Sequence, residues 1–338
     1  MTPCTGPGRN AAWRLVALLA LPPLVSAQDL GGAAASAPAA PSANYPGWAY
    51  LWAPDFVLPP VDDAPRHLPG SAAAFSTAQA RDLFLAPSWH PEEHPAMPEV
   101  VARGRKPDVR ACGSCHRADG SGGPENASLA GLPAAYLVQQ LADIRSGARR
   151  FSGPNRISVV LMNATAKAMT DDEVQAAAAY FAALAPRRNL RVVEADDVPK
   201  TVVARLFLAR NPQGGTEPLG RRIAEIPDDA AQFELRDAHA TFTAHVPPGS
   251  LARGEALVRT GGDGRTVACA PCHGADLRGV GPIPRLAGRS PSYLMRQLWD
   301  FRAGVRAGPG SAPMQPTVAH LTEDDMLALA AYVASLPP

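Results

Sequence analysis

Two stretches of the sequence, Cys112-Gly-Ser-Cys-His116 and Cys269-Ala-Pro-Cys-His273, share the pattern C-x-x-C-H. This pattern attaches haem c, because the two cysteines form thioethers at the porphyrin edge and the adjacent histidine reaches the iron. The sequence therefore predicts two covalently bound haem c groups, each carrying one iron. The predicted attachment residues and proximal iron ligands are Cys112, Cys115, His116, Cys269, Cys272 and His273.

Zinc binding and dithiol redox chemistry are the other common uses of a C-x-x-C pair. One zinc site would need the two pairs to converge across the 153 residues between Cys115 and Cys269. A dithiol centre has no need of a histidine after both pairs. The fifth cysteine, Cys4, lies near the amino terminus, so none is left for a structural disulfide. Haem attachment is the interpretation that uses every residue of both motifs.

The first 27 residues have the features of a secretory signal. Arg9 and Arg14 precede an apolar run over 15–24, and Val25-Ser-Ala27 supplies small residues for cleavage. The run is about ten residues long, whereas a membrane-spanning helix needs about twenty. We therefore expect a cleaved signal peptide over 1–27, export to the periplasm and no transmembrane anchor after cleavage.

Composition limits the classes of function. With 338 residues, of which 46% are hydrophobic, the chain is long enough for two domains with their own cores. The formal net charge is +1 and no block of like charge occurs, so the sequence gives no sign of nucleic-acid binding.

The sequence around the two motifs is duplicated. Aligning the motifs also aligns Leu-Ala-Gly at 129–131 with Leu-Ala-Gly at 286–288. Further along, Ala-Ala-Tyr at 178–180 matches Ala-Ala-Tyr at 330–332, after five extra residues in the first copy. A match of this length predicts two copies of one domain. Between these points the matched pairs include Tyr136 with Tyr293, Gln140 with Gln297, Arg145 with Arg302, and Arg149 with Arg306.

A haem that carries electrons needs a sixth iron ligand, and methionine is the usual choice at high potential. The repeat pairs Met162 with Met314, so these two are the predicted ligands. Met169 is the main alternative in the first copy, although the second copy has Leu321 at that place, and Met97 is a weaker alternative. No other histidine recurs in both copies. Among the remaining histidines, His90 and His94 rank highest as alternative iron ligands.

Both copies have the pattern of helical domains. Leu137, Leu141 and Ile144 recur at helical spacing. Thr170 begins a capping box before a helix that runs to Leu184, and Thr322-Glu-Asp-Asp repeats this start in the second copy. The predicted fold class is therefore mainly α.

The segments outside the copies differ in composition. Ten prolines between 44 and 98 predict an extended wrap with one helix over Thr77–Leu85, and β-branched residues between the copies predict a hairpin or short sheet. The opening helix of the first copy is expected to be curtailed. The predicted divisions are a signal peptide (1–27), a flexible leader (28–43), a wrap (44–98), domain 1 (99–186), an insertion (187–249) and domain 2 (250–338).

Both copies resemble class I cytochrome c. The resemblance rests on C-x-x-C-H, Leu-Ala-Gly, a Tyr-Leu-x-x-Gln-Leu helix, one methionine and an Ala-Tyr helix, and it covers about 99–186 and 250–338. Two such domains in one chain are similar to the diheme periplasmic cytochromes. The wrap and the insertion lie outside the resemblance.

The resemblance also implies roles for residues beyond the motifs. In this family a backbone carbonyl accepts a hydrogen bond from the second nitrogen of the proximal histidine, and the matching positions are Ala127 and Pro284. Side chains of the helix that follows would line the haem or pair with its propionates. Helix packing and a solvated face are equally open alternatives for them. These residues are Tyr136, Gln140, Arg145, Tyr293, Gln297 and Arg302.

Iron with histidine and methionine ligands has no open position, so the expected chemistry is single-electron transfer rather than catalysis. The expected partners are redox proteins, with a periplasmic dehydrogenase or quinol-oxidising complex as donor and a terminal oxidase as acceptor. Two alternatives remain. One is a diheme peroxidase-like enzyme, in which one iron loses its methionine. The other is a cytochrome subunit of a periplasmic dehydrogenase complex.

Overall fold

The computed structural model of the protein describes residues 45–338. The predicted signal peptide (1–27) and leader (28–43) lie outside the described residues. The described part is mainly α with short strands, which confirms the predicted fold class. Within it, no helix combines the length and the apolar character needed to cross a membrane.

The wrap is mostly irregular, as its prolines predict. Its helix ends at Arg81, earlier than expected, because the Asp82 side chain accepts a hydrogen bond from the amide of Phe84 at 2.8 Å and turns the chain. Trp89 is buried and donates its Nε1 proton to the carbonyl of Leu235, which ties the wrap to the insertion. Its regular elements are β1 (Arg66–His67), β2 (Ala74–Phe75) and α1 (Thr77–Arg81), with single 3-10 turns at Gly47–Ala49 and Pro91–Glu93.

Domain 1 consists of helices joined by tight turns. Its opening helix has only four residues, as the sequence predicts, because the chain reaches the haem-binding motif within ten residues of it. Thr170 and Glu173 form the expected capping box at the start of the last helix. The helices are α2 (Glu99–Ala102), α3 (Cys112–His116), α4 (Ala134–Ser146), α5 (Ile157–Ala168) and α6 (Asp171–Ala183).

The insertion is partly β, as predicted. A three-stranded sheet has the order β3-β9-β8, with β3 parallel to β9 and β9 antiparallel to β8. Two antiparallel pairs, β4 with β7 and β5 with β6, lie between these strands in the sequence. The elements are β3 (Leu190–Glu194), β4 (Asp197–Pro199), β5 (Thr201–Ala204), β6 (Phe207–Arg210), β7 (Thr216–Pro218), β8 (Ala224–Pro227), α7 (Ala230–Glu234) and β9 (Phe242–Val246).

Domain 2 repeats the helical order of domain 1 with a full opening helix. That helix ends in a kink at Gly261, Gly262 and Asp263, which all have positive φ. Ala49 and Tyr50 of the wrap, together with Ala244 and Val246 of the insertion, are buried in the apolar core of this domain. The helices are α8 (Ser250–Gly264), α9 (Ala270–His273), α10 (Pro291–Arg302), α11 (Met314–Val318) and α12 (Glu323–Ser335).

The crossing of α8 and α12 depends on a glycine. A Cβ at Gly254 would overlap the carbonyl oxygen of Ala328 and lie 2.5 Å from Cβ of Tyr332, so the two backbones approach too closely for any other residue. We expect Gly254→Ala to lower the free energy of unfolding by about 1–3 kcal/mol through overpacking. Chemical denaturation of the holoprotein measures this change. Gly310→Ala is the matched control, since a Cβ there meets nothing within 4 Å, and equal losses from both variants would contradict the account.

Candidate haem sites

The two motif histidines are held in the same way. Nδ1 of His116 is 2.8 Å from the carbonyl oxygen of Ala127, and Nδ1 of His273 is 3.0 Å from that of Pro284. A carbonyl only accepts, so each Nδ1 carries the proton and each Nε2 keeps its lone pair. Burial lowers the pKa of both imidazoles, which favours the neutral form that binds a metal. These are the carbonyl contacts that the family resemblance places at Ala127 and Pro284.

The motif cysteines form no disulfide. Cys112 and Cys115 lie on α3, Cys272 lies on α9, and Cys269 directly precedes α9. Burial raises the pKa of the Cys112 thiol to about 12 and that of Cys269 to about 11, so neither resembles a reactive thiolate centre. Directly after each histidine the chain turns through positive φ, at Arg117 and at Gly274. Arg117 tolerates this conformation because its guanidinium donates hydrogen bonds to main-chain carbonyls at Gly122 and Asp237.

A cavity of about 1280 Å³, counted with its mouth, lies against the first motif. Its walls are mainly apolar side chains of α4, α5 and α6. The cavity opens to solvent and its lining is predominantly apolar, which fits a large apolar group. The motif residues on its wall are Cys112, Cys115 and His116, and domain 2 contributes Tyr293, Arg296 and Gln297.

Arginines in this cavity fit the carboxylates of a haem. Nε of Arg149 and Nη2 of Arg156 are buried and have no hydrogen-bond partner among the described residues. Burial and the nearby Arg296 lower the pKa of Arg156 to about 9, so an added anion would stabilise its charged form. Two propionates would supply both the missing acceptors and the missing negative charge. The cavity therefore fits haem by its apolar walls, its thiols, its free imidazole nitrogen and its unpaired guanidinium donors.

Both candidate methionines of domain 1 lie on the cavity wall. Met162 is half-buried on α5 and stands outside the apolar core cluster of the domain. Met169 is only 5% exposed and belongs to that cluster, and its counterpart Leu321 is likewise part of the core of domain 2. Met314, the counterpart of Met162, begins α11 and is half-buried. The structure thus gives Met169 a packing role that Met162 does not have.

The tyrosines and glutamines singled out in the sequence meet at the boundary between the two domains. Arg149 donates to Gln140, to the hydroxyl of Tyr293 and to Gln297, at 2.8–3.1 Å. Arg306 mirrors it, with bonds of 2.9 Å to Gln297, Tyr136 and Gln140. Of this group, Gln140, Arg149, Tyr293 and Gln297 also line the cavity. We name these six residues the arginine network: Tyr136, Gln140, Arg149, Tyr293, Gln297 and Arg306.

Arg145 and Arg302 take a different place. Arg145 donates to the carbonyls of Ala166 and Met169 and pairs with Asp171, and Arg302 donates to the carbonyl of Leu321 at 2.7 Å. Met169 and Leu321 are equivalent positions in the two copies, so the two arginines make the same contact in their domains. Each arginine joins the helix after the haem motif to the start of the last helix. This geometry supports a role in helix packing rather than in contact with the haem.

His90 and His94, the two other histidines considered as iron ligands, have protein partners. Nε2 of His90 is 3.1 Å from the buried carboxylate of Asp237, and its ring stacks on His239 at 3.6 Å. His94 contacts the hydroxyls of Ser88 and Tyr180. Neither is among the residues on the cavity wall. His90 therefore joins the wrap to the insertion.

The family assignment rests on a family model that matches both copies. A family model described as Cytochrome c matches residues 101–185 and 251–337. The chain belongs to the cytochrome c family. Two domains in tandem make it a diheme cytochrome of class I with two covalently bound haem c groups, as the motifs predict. Both matched ranges fall within the domain limits expected from the repeat.

Several known proteins are similar to this cytochrome over most of its length. Cytochrome c4 of Azotobacter vinelandii is 26% identical over 258 residues, which is 72% of this chain and 91% of the relative. A protein of Thiomonas intermedia named thiosulfate dehydrogenase electron acceptor is 26% identical, covering 68% of this chain and 81% of its own. A solved thiosulfate dehydrogenase from Marichromatium purpuratum is 28% identical with a TM-score of 0.48, covering 77% of this chain and 40% of its own.

Two residues of the haem site of domain 1, Arg149 and Arg156, are not among the site residues that the sequence predicts. Arg149 was already visible as a matched pair with Arg306, so the repeat contained the signal that marks it. Arg156 has no arginine counterpart in the second copy under either register of the repeat, so no pattern pointed to it. Only the folded chain brings its guanidinium to the cavity.

Proposed function

We propose that this cytochrome carries single electrons between redox proteins of the periplasm, with His116 and Met162 as iron ligands in domain 1 and His273 and Met314 in domain 2. The observation that carries the proposal is the identical setting of both histidines, each donating from Nδ1 to a carbonyl eleven residues further along the chain. A site that had been remodelled for catalysis in one domain would be expected to lose this equivalence.

The bound haem supplies the Fe(III)/Fe(II) couple. The residues of the chain set the environment of this redox couple. The carbonyls of Ala127 and Pro284 hold the imidazole orientation and tautomer, the apolar walls keep water away, and Arg149 and Arg156 offer donors to the propionates. If Met162 and Met314 complete the iron ligation, as proposed, no iron position would remain for a substrate, which favours an electron carrier over an enzyme.

The donor that we favour is a dehydrogenase that oxidises a sulfur compound, because one relative is named as the electron acceptor of thiosulfate dehydrogenase. A terminal oxidase is the proposed acceptor. The same relative supports a second candidate, a cytochrome subunit that stays bound to its dehydrogenase. Size-exclusion chromatography with a purified thiosulfate dehydrogenase separates the two, since a free carrier elutes alone and a subunit elutes as a complex.

Anaerobic potentiometric titration of the purified holoprotein tests the carrier function. We expect two reversible one-electron steps and reduction by thiosulfate dehydrogenase that depends on added thiosulfate. The peroxidase alternative predicts instead that hydrogen peroxide is turned over catalytically by the half-reduced protein. Such turnover, or an irreversible step at either haem, would overturn the proposal.

A further inference from the structure

Two histidines and a glutamate meet where the wrap contacts the insertion. His90 precedes a 3-10 turn of the wrap that ends at Glu93, and His239 lies in the loop before β9. One metal-ligating atom from each of the three side chains lies within 4.8 Å of the other two. We name His90, Glu93 and His239 the histidine cluster.

A buried aspartate orients one ring of the cluster. Asp237 is 1% exposed, and its Oδ1 accepts a hydrogen bond from Nε2 of His90 at 3.1 Å. A carboxylate only accepts, so in the neutral imidazole Nε2 carries the proton and Nδ1 keeps its lone pair. Gln232 and the amide of His239 also donate to this carboxylate, at 2.6 and 3.0 Å, and so fix its position. A carboxylate that holds the second ring nitrogen is typical of histidines that bind metals.

The charge around the cluster favours a cation. Nε2 of His239 is 2.9 Å from Oε2 of Glu93, and this hydrogen bond, with the charge of Arg187, lowers the pKa of Glu93 and keeps it ionised. Glu92 adds an exposed carboxylate, whose Oε1 is 3.8 Å from Nδ1 of His90. Arg187 pairs with Glu93, but its side chain is 36% exposed, so it can turn into solvent when a cation takes that oxygen.

The stack of the two imidazole rings must open for both to bind one ion. The rings of His90 and His239 are parallel to within 5°, with centroids 3.6 Å apart. A nitrogen lone pair lies in the plane of its ring, so two parallel, stacked rings cannot both point at one ion. His90 is buried, whereas the side chain of His239 is 30% exposed. His239 is therefore the ring that is free to turn.

We propose that the histidine cluster binds a zinc ion through His90, Glu93 and His239, and that the ion ties the wrap to the insertion. Two imidazoles and one carboxylate are a donor set that zinc accepts in tetrahedral geometry, with the fourth position left to water or to Glu92. Magnesium and calcium prefer oxygen ligands and should not compete. Two of the ligands belong to the wrap and one to the insertion, so binding stabilises the contact between these segments.

Titration of the full holoprotein with zinc chloride tests the site, because iron already occupies the motif histidines there. Calorimetry should give one tightly bound zinc ion per chain, unaffected by excess magnesium. X-ray absorption at the zinc edge should show only nitrogen and oxygen neighbours at about 2.0–2.2 Å, with the outer scattering of two imidazoles. Zinc at a hundred times its dissociation constant should raise the ratio of folded to unfolded protein about 100-fold, which urea unfolding measures.

Substitutions at partly exposed ligands avoid disturbing the core. We expect His239→Gln and Glu93→Gln each to weaken zinc binding at least about tenfold, and Asp237→Asn, which keeps the shape but removes the charge behind His90, to weaken it about 10–100-fold. The matched control is His67→Gln, which changes an exposed histidine of the same wrap outside the cluster. Its zinc affinity should stay within about twofold of that of the unsubstituted protein.

Several results would overturn the proposal. The first is zinc binding by His239→Gln and Glu93→Gln that is as tight as in the unsubstituted protein, or weakened equally by His67→Gln. Absence of stoichiometric binding is the second. Sulfur neighbours at the zinc edge would place the ion at a haem motif, and displacement of zinc by magnesium would show a site made of oxygen ligands alone, so either result also contradicts the assignment.

Discussion

Replacing Met162 with alanine is expected to lower the reduction potential of the haem of domain 1 by on the order of 0.2 V, within the range of about 0.8 V that axial ligands span. The thioether stabilises Fe(II) relative to Fe(III), so its loss favours the oxidised state. Met314→Ala should do the same to the haem of domain 2. Potentiometric titration, followed optically, measures both changes.

Met169→Leu is the control, because the second copy already has Leu321 at that position, in the core of domain 2. We expect the potential of the haem of domain 1 to move by less than about 30 mV, since one volume-conserving apolar residue replaces another. If Met169→Leu lowers the potential and Met162→Ala does not, the ligand of domain 1 is Met169 and the repeat has been misread.

Loss of both arginines of the arginine network is expected to cost more than the sum of the single losses. Gln140 and Gln297 each accept from Arg149 and from Arg306, so either single variant leaves both glutamines with one donor. We expect Arg149→Met and Arg306→Met to lower the free energy of unfolding by about 1–3 kcal/mol each. The double variant removes all donors to two buried oxygens and should show an additional interaction energy of about 0.5–3 kcal/mol.

Repulsion between the two guanidiniums acts in the same direction. Burial and the neighbouring Arg149 both lower the pKa of Arg306. Each single substitution removes the repulsion between the two guanidiniums, and this gain partly offsets the stability that the variant loses. The double variant removes the same repulsion only once, so its loss of stability exceeds the sum of the two single losses. Urea unfolding of the four holoproteins completes the cycle. Strict additivity would show that the two arginines act independently. The exposed Arg259→Met, remote from this network, should leave the unfolding midpoint unchanged.

The sequence predicted the parts of the site that depend on local pattern. The haem motifs, the helices that follow and the contact of His116 with Ala127 all fall within one copied segment, so the repeat and the family resemblance together were sufficient. The capping box at Thr170 is likewise local, and the structure has it. Helix α1 was predicted too long because the competing hydrogen bond from Phe84 to Asp82 outweighs helix propensity there.

What the sequence did not predict depends on how the two copies pack. The bond from Arg149 to Tyr293 joins residues 144 positions apart, and no periodicity encodes it. The sequence predicts haem-lining or helix-packing roles for Tyr136 and Gln140. In the structure they also accept hydrogen bonds from Arg306 of the other domain, a contact that neither role includes. The haem-binding turn is also more buried in domain 1 than in domain 2, with Ala118 buried and its counterpart Ala275 exposed. The wrap and the insertion, whose folds the family pattern does not cover, contact the turn of domain 1.

The central claim, that both irons have histidine and methionine ligands and so serve electron transfer, is tested most directly by near-infrared magnetic circular dichroism of the oxidised holoprotein at low temperature. The account predicts two low-spin haems, each with the weak methionine-to-iron charge-transfer band, and loss of one band in each of Met162→Ala and Met314→Ala. A high-spin or bis-histidine haem in the unsubstituted protein would contradict it.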